Sequence, residues 1–298
     1  MQFVYILISE ESDYGIEQLL ISVISLRKYH PDDEIILVTD IPTKDLIYKI
    51  KSPVINYINE IKVEIPPAHF SKVQRSRFIK TNLRNIIDGD YVSLDTDTVI
   101  IGKLSEIWSS SGQLCCTRIL GLCEKYGRVL PAQLIEYYNL TGKTIELDEK
   151  ITDFFNTAII FCRDTELNRR FYSTWHRLWL KSSISYGYSS DQPDFWRTNC
   201  IFHNVVREIP IQYNLPAIRP RITLSHLYKG KVLHYYNSSV KETALKCRDH
   251  KFLQSVKEKG ITKELKKYIF NIKWHYFKGL LPMVKENKGN ILKWLNKR

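Results

Sequence analysis

The feature that most narrows what this chain can fold into is an alternation through its first hundred residues. Short apolar, β-branched runs take turns with longer amphipathic segments. Val4–Ile8, Ile35–Thr39 and Ile61–Ile65 have strand length, with Asp40 closing the second and Pro66-Pro67 the third. Near-continuous apolar runs suit strands of a parallel sheet buried on both faces. Between the first two runs, Gly15–Tyr29 puts Leu19, Leu20, Val23, Ile24 and Leu26 in helical register. Ser71–Ile87 predicts a helix with a basic face of Lys72, Arg75, Arg77, Lys80 and Arg84. The Asp88-Gly89-Asp90 turn then leads into the strand Tyr91–Leu94. Further strands are expected at Gln113–Thr117, Phe154–Cys162 and Val232–Tyr236, and helices around Ala132–Tyr138 and Glu166–Leu180. This order predicts an α/β fold with a mainly parallel sheet and no internal repeat.

A chain of 298 residues with 44% hydrophobic residues has ample material for a core and is too apolar for disorder. No apolar run is long enough to span a membrane. The opening residues lack a basic leader and read as a first buried strand, so the expected location is the cytoplasm. Cys115, Cys116, Cys123, Cys162, Cys200 and Cys247 show no metal-type spacing and read as reduced residues.

The net charge of +12 is unevenly placed. Residues 241–298 carry 16 Lys and Arg against 5 Asp and Glu, whereas 1–240 are close to neutral. A nucleic-acid enzyme more often carries its basic surface on the body, so no nucleic-acid partner is expected. The chain divides on this reading into a body, 1–240, and a basic helical segment, 241–298. In that segment Ile261, Leu265, Tyr268, Ile269, Ile272 and Tyr276 fall at helical spacing among lysines, and Pro282 should break the helix. Beyond it, Ile291, Leu292, Trp294 and Leu295 form a second apolar piece. Such a segment suits attachment to an anionic membrane surface, which predicts a peripheral protein on the inner face of the cell membrane. The plainer alternative is a helix docked on the body with a solvated basic face.

The stretch Tyr91-Val-Ser-Leu-Asp95-Thr-Asp97-Thr-Val-Ile-Ile carries the chemistry. Asp-x-Asp alone is weak, and Asp88-Gly89-Asp90 repeats it as plain turn chemistry. Asp95 and Asp97, however, follow an apolar strand and precede another apolar run. In an extended segment residues i and i+2 project together, here at the carboxyl end of a strand where open α/β sheets bind ligands. Two carboxylates there suit Mg²⁺ or Mn²⁺ bridging a diphosphate, although they also suit capping of the following loop.

On these residues the sequence resembles the GT-A fold glycosyltransferases, and among them the retaining family 8 group, which includes bacterial lipooligosaccharide galactosyl- and glucosyltransferases and glycogenin. Ser76-Arg77-Phe78 and Lys80 stand where that family has a basic helix before its Asp-x-Asp. Phe155-Asn156 matches an Asn opening a later strand, Asp191-Gln192 an Asp-Gln pair, and His234 the family's third metal ligand. The resemblance spans roughly residues 1–240 and implies a GT-A fold. It further implies a metal site of Asp95, Asp97 and His234 holding Mn²⁺ or Mg²⁺. Donor contacts would come from Ser9, Arg77, Lys80, Asp95 and Asn156, with Asp191 and Gln192 at the reacting sugar. The implied activity is hexose transfer from a nucleotide diphosphate sugar, UDP-galactose or UDP-glucose, to a saccharide or glycolipid hydroxyl in bacterial surface polysaccharide synthesis. The chain departs from the family in its first loop, Ser9–Tyr14, and after His234, where Asn237 and Lys241 stand without a Pro-Trp pair.

Plainer roles are open for each residue: a structural His234, a solvated Arg77 and Lys80, a turn-forming Asn156, and Asp191 as a helix cap after Ser189-Ser190. An inverting enzyme would need a carboxylate base, for which Asp191 and Asp153 are the candidates. Two rival readings are a sugar-phosphate nucleotidyltransferase and a non-enzymatic lipid- or nucleic-acid-binding protein. The first needs a Gly-rich loop after strand one, where this chain has only Gly15.

Overall fold

The computed structural model describes residues 1–109, 112–119, 132–142, 154–216, 228–235 and 245–275. Cys123, Asp153, Asn237, Lys241 and the segment 276–298 lie outside the described residues. The strands are β1 Gln2–Leu7, β2 Glu34–Asp40, β3 Glu60–Glu64, β4 Tyr91–Leu94, β5 Thr98–Ile100, β6 Leu114–Arg118, β7 Phe155–Cys162, β8 Arg207–Glu208, β9 Leu215–Pro216 and β10 Val232–His234. The helices are α1 Gly15–Tyr29, α2 Ile41–Lys49, α3 Lys72–Ile86, α4 Ala132–Thr141, α5 Glu166–Tyr186, α6 Gln192–Ile201, α7 His250–Lys259 and α8 Lys263–Phe270.

Seven strands form one mixed sheet in the order β3-β2-β1-β4-β7-β6-β8. The first four of these are parallel, and β7 runs antiparallel to both β4 and β6. The continuous apolar runs are explained by cover on both faces. In β1, Phe3, Tyr5 and Leu7 pack into a core with α1, while Val4 faces a second core with α3, α5 and α6. Ile35 and Leu37 of β2 divide from Ile36 and Val38 in the same way. A three-stranded sheet, β5-β10-β9, closes over the α1 side.

The short helix α2, which has no strong sequence signal, is set by Asp40, whose side chain accepts from Thr43 N. Gly15 lets the chain pass closely into α1, since a Cβ there would lie 2.9 Å from Leu7 Cδ1 and 3.0 Å from Ser9 Oγ and would push those side chains aside. The described cysteines form no disulfide.

The segment after 245 packs as two helices, separated at Gly260 in a left-handed backbone conformation and restarted by Thr262 capping Leu265 N. Leu253, Val256, Leu265, Tyr268, Ile269 and Ile272 are buried in the same core as α1. Lys28 donates to the Phe270 carbonyl at 3.0 Å, and the Tyr268 hydroxyl accepts from Lys246 N at 2.8 Å. Leu265, Tyr268, Ile269 and Ile272 of the stripe expected to meet a membrane therefore lie on an interior face of the body. No helix among the described residues is long and apolar enough to cross a membrane.

Candidate active site

The carboxyl ends of β1, β2 and β4 share one edge of the sheet, and the candidate residues gather there. Asp95 and Asp97 lie in the turn between β4 and β5, not on one extended strand. Their convergence has a different origin from the i, i+2 argument. β4 belongs to the large sheet and β5 to the small one, so the turn between them crosses from sheet to sheet. Asp95 N donates to the Ala158 carbonyl of β7, and Thr98 Oγ1 donates to the Asp95 carbonyl, which ties both ends of the turn. On the small sheet, β10 runs antiparallel to β5 with His234 opposite Thr98, and Tyr235 N donates to the Asp97 carbonyl. That register brings a distant imidazole against the turn.

The result is a cluster in which one ligand atom each from Asp95, Asp97 and His234 lies within 4.8 Å of the others. His234 Nε2 is 3.3 Å from Asp97 Oδ1, and its Nδ1 is 3.0 Å from Asn214 Oδ1. Two hard oxygens and one imidazole nitrogen at that spacing fit a single small divalent cation held at roughly 2.0–2.6 Å from each donor. Burial alone would raise the Asp97 pKa. His234 and Lys80 outweigh it and hold the carboxyl below its ordinary range, so Asp97 is an anion at neutral pH.

The basic face of α3 is not a solvated face. Its start is fixed by a capping box in which Ser71 and Gln74 satisfy each other's backbone N–H groups. Lys80 Nζ then reaches Asp95 Oδ1 at 2.9 Å, and Arg77 Nε lies 3.1 Å from Asp191 Oδ1. Arg84, one turn further along the same face, is fully buried and donates to the Gly89 carbonyl. Arg75 pairs with Asp40, and Lys72 with Asp13. Burial pulls the Arg77 pKa down, but the charges of Asp191, Asp95 and Asp97 more than reverse this, which places its guanidinium in the field of all three.

Asp191 stands at the N-cap position of α6 but makes no side-chain cap bond. Its carboxylate instead accepts from Thr157 Oγ1 at 2.9 Å and pairs with Arg77, while its carbonyl accepts from Trp175 Nε1. Burial would raise its pKa; Arg77, Lys80 and Thr157 keep it below the carboxylate range. Gln192 follows directly, and its Oε1 is a buried acceptor with no hydrogen-bond partner among the described residues.

The other two candidate donor residues, Asn156 and Ser9, have partners within the protein. Asn156 Oδ1 accepts from Ala158 N and so supports the strand irregularity beside Asp95. Ser9 is buried and engaged within its loop: its hydroxyl donates to Asp13 Oδ1 at 2.5 Å, and its N–H donates to Thr43 Oγ1. It organises the β1–α1 loop, which Lys72 and Lys257 also hold. Thr157, Asn214 and Thr117 were not singled out from the sequence. The polar pair Asn156-Thr157 at the head of an apolar strand was a usable signal for Thr157; the other two carry none.

No family model and no curated protein matches the sequence. Solved structures do match. The galactosyltransferase LgtC in complex with donor and acceptor sugar analogs superposes with a TM-score of 0.52 at 14% identity, covering 90% of this chain and 99% of that one. A Gln-to-Glu active-site mutant of LgtC gives 0.51 at 15%, covering 89% and 98%. The fold is that of the GT-A glycosyltransferases. The glycosyltransferase GlyE of Streptococcus pneumoniae TIGR4 gives 0.51 at 13%, with 91% of this chain and 63% of that chain covered. In the GT-A frame the Asp95–Asp97 turn and His234 sit at the carboxyl edge of the sheet, where open α/β sheets bind their ligands.

Proposed function

We propose that this protein is a metal-dependent glycosyltransferase that moves a hexose from a nucleotide diphosphate sugar to a hydroxyl of a saccharide or glycolipid. The observation that carries the reading is the Asp95–Asp97–His234 cluster with Lys80 and Arg77 alongside it on a GT-A fold. A divalent cation at this cluster, Mn²⁺ by the mixed N/O donor set, would offset the charge growing on a departing nucleoside diphosphate.

The chain's own groups supply the rest. Lys80 and Arg77 face the same departing charge as paired cations that can turn from Asp95 and Asp191 toward phosphate oxygens. Asp191 orients Arg77 and, as an anion, accepts hydrogen bonds from sugar hydroxyls. Gln192 Oε1 gains a donor when a sugar hydroxyl approaches, which removes the cost of an unpaired buried acceptor. The active-site glutamine altered in LgtC supports that role.

A carboxyl held below its ordinary range by Arg77 and Thr157 is a poor general base near neutral pH. This favours a retaining course, in which a leaving phosphate oxygen takes the acceptor proton. The LgtC complex with donor and acceptor sugar analogs supports a saccharide acceptor, and UDP-galactose or UDP-glucose is the donor class we favour. A role in bacterial surface polysaccharide synthesis and attachment to an anionic membrane belong to the same proposal. Leu265, Tyr268, Ile269 and Ile272 are taken up by the core, so a membrane contact would come from other residues of the basic segment 241–298.

The nucleotidyltransferase alternative loses support at Gly15, whose N–H is taken by Asp13 and whose missing Cβ serves close packing rather than a phosphate cradle. The direct experiment is a thermal-shift screen of wild type and Asp97→Asn with nucleoside diphosphates, with and without Mn²⁺. UDP should stabilise the wild type only when Mn²⁺ is present, by about 2.7 kcal/mol at 100 times its Kd, and should not stabilise the variant. Stabilisation that ignores both Mn²⁺ and the substitution would refute the metal-dependent reading.

A further inference from the structure

His234 can serve a cation only if the nitrogen that faces the carboxylates carries a lone pair. A neutral imidazole has one protonated and one bare nitrogen, and the partner of the outer nitrogen decides which is which. Here Nε2 faces Asp97 Oδ1 at 3.3 Å, and Nδ1 meets Asn214 Oδ1 at 3.0 Å. An amide oxygen only accepts, so this contact requires a proton on Nδ1 and makes Nε2 the nitrogen left to meet a cation. Were the amide reversed, its NH₂ would donate to Nδ1, the proton would move to Nε2, and that N–H would point into the carboxylates.

The place of the amide therefore matters, and a second residue anchors it, although a hydroxyl that both donates and accepts does not choose which end of the amide faces the imidazole. Asn214 Nδ2 donates to Thr117 Oγ1 at 3.0 Å. Asn214, Thr117 and His234 are all at least 95% buried, so water does not compete for these bonds. Thr117 reaches Asn214 from an irregular point in the large sheet. The β6–β7 pairing shifts between Cys116 and Thr117, so that Cys116 pairs with Ile160 but Thr117 pairs with Asn156. Such irregularities re-aim side chains and concentrate beside functional sites.

We infer that Asn214, anchored by Thr117, is a positioning residue that holds the Nδ1–H of His234 and so presents Nε2 to a divalent cation. The inference rests on the reading of Asp95, Asp97 and His234 as a metal site and names a residue that the reading itself did not require. It also links two sheets through a continuous chain, from the β6–β7 irregularity through Thr117 and Asn214 to His234 on β10.

The test compares wild type, Asn214→Leu, Asn214→Asp and Asp97→Asn of the full chain. Mn²⁺ affinity is measured calorimetrically, and the Nδ1–H of His234 is followed by ¹H–¹⁵N NMR with labelled histidine at saturating Mg²⁺. Leucine keeps the volume and removes the acceptor; aspartate keeps an acceptor and adds none of the amide donors. Asn214→Leu should weaken Mn²⁺ binding roughly 10–100-fold, the usual cost of losing a partner behind a metal-bound histidine. Its NMR spectrum should lose the downfield shift of a hydrogen-bonded Nδ1–H. Asn214→Asp should keep that shift and bind Mn²⁺ within a few-fold of wild type. A folded Asn214→Leu protein with wild-type affinity and the same Nδ1–H shift overturns the inference. If Asp97→Asn loses Mn²⁺ in that same experiment, the metal site itself stands. If Asp97→Asn binds Mn²⁺ as the wild type does, the metal reading fails and the inference falls with it.

Discussion

Shortening Ile269 to alanine probes how the C-terminal segment is used. Ile269 is 2% exposed and packs with Leu265, Tyr268 and Ile272 in the core shared with α1. Removing its buried branch should cost about 3 kcal/mol, within the range for Ile-to-Ala changes in packed cores. For a chain of this length each kcal/mol lowers Tm by roughly 2–4 °C, so Tm should fall by about 6–12 °C. A membrane-facing isoleucine would behave differently: its loss would leave Tm near that of wild type and weaken sedimentation with anionic vesicles. The assay is thermal denaturation by circular dichroism beside vesicle co-sedimentation of the same sample. A Tm within 1 °C of wild type, together with reduced vesicle binding, would refute the docked arrangement of α8. For the same reason, truncation before residue 250 is a poor probe of membrane attachment, since it removes core residues along with charge.

Two other perturbations test the electrostatics. Lys80→Met leaves Asp95 without its cation; Mn²⁺ affinity should hold or rise, while UDP binding in the presence of Mn²⁺ should weaken about 10–100-fold, measured by calorimetry. Equal weakening of both would assign Lys80 a purely structural role. His176 packs against Phe78 and Trp179 and hydrogen-bonds Thr81, and burial pushes its pKa down to about 4. The unfolded chain then binds the extra proton first, so stability declines as pH falls from about 6.5 to 4, by up to about 3 kcal/mol. His176→Gln should flatten urea-denaturation midpoints across that window, and an unchanged slope would count against the buried neutral histidine.

The candidate site was legible where its signals are local. The apolar runs, the helical register of Leu19–Leu26 and the Asp95–Asp97 pair are each written in neighbouring residues, because backbone periodicity and strand ends are properties of short stretches. From composition and spacing alone, these determined the alternating α/β order and the sheet edge that would carry the chemistry. What tertiary structure decided is everything that depends on pairing between distant segments. The spacing of the charges of α3 suits a ligand or a solvent face equally, and they meet Asp191 and Asp95 because α3 packs over the edge where those residues emerge. The apolar stripe through Leu265, Tyr268, Ile269 and Ile272 has the same periodicity whether it meets lipid or α1, and only the tertiary structure places those four residues in the core. The imidazole of His234 reaches Asp97 because β10 pairs with β5 in one register, and Asn214 and Thr117 orient it through contacts between two sheets. A sequence specifies the period of each element directly, but a register exists only once both partners are in place.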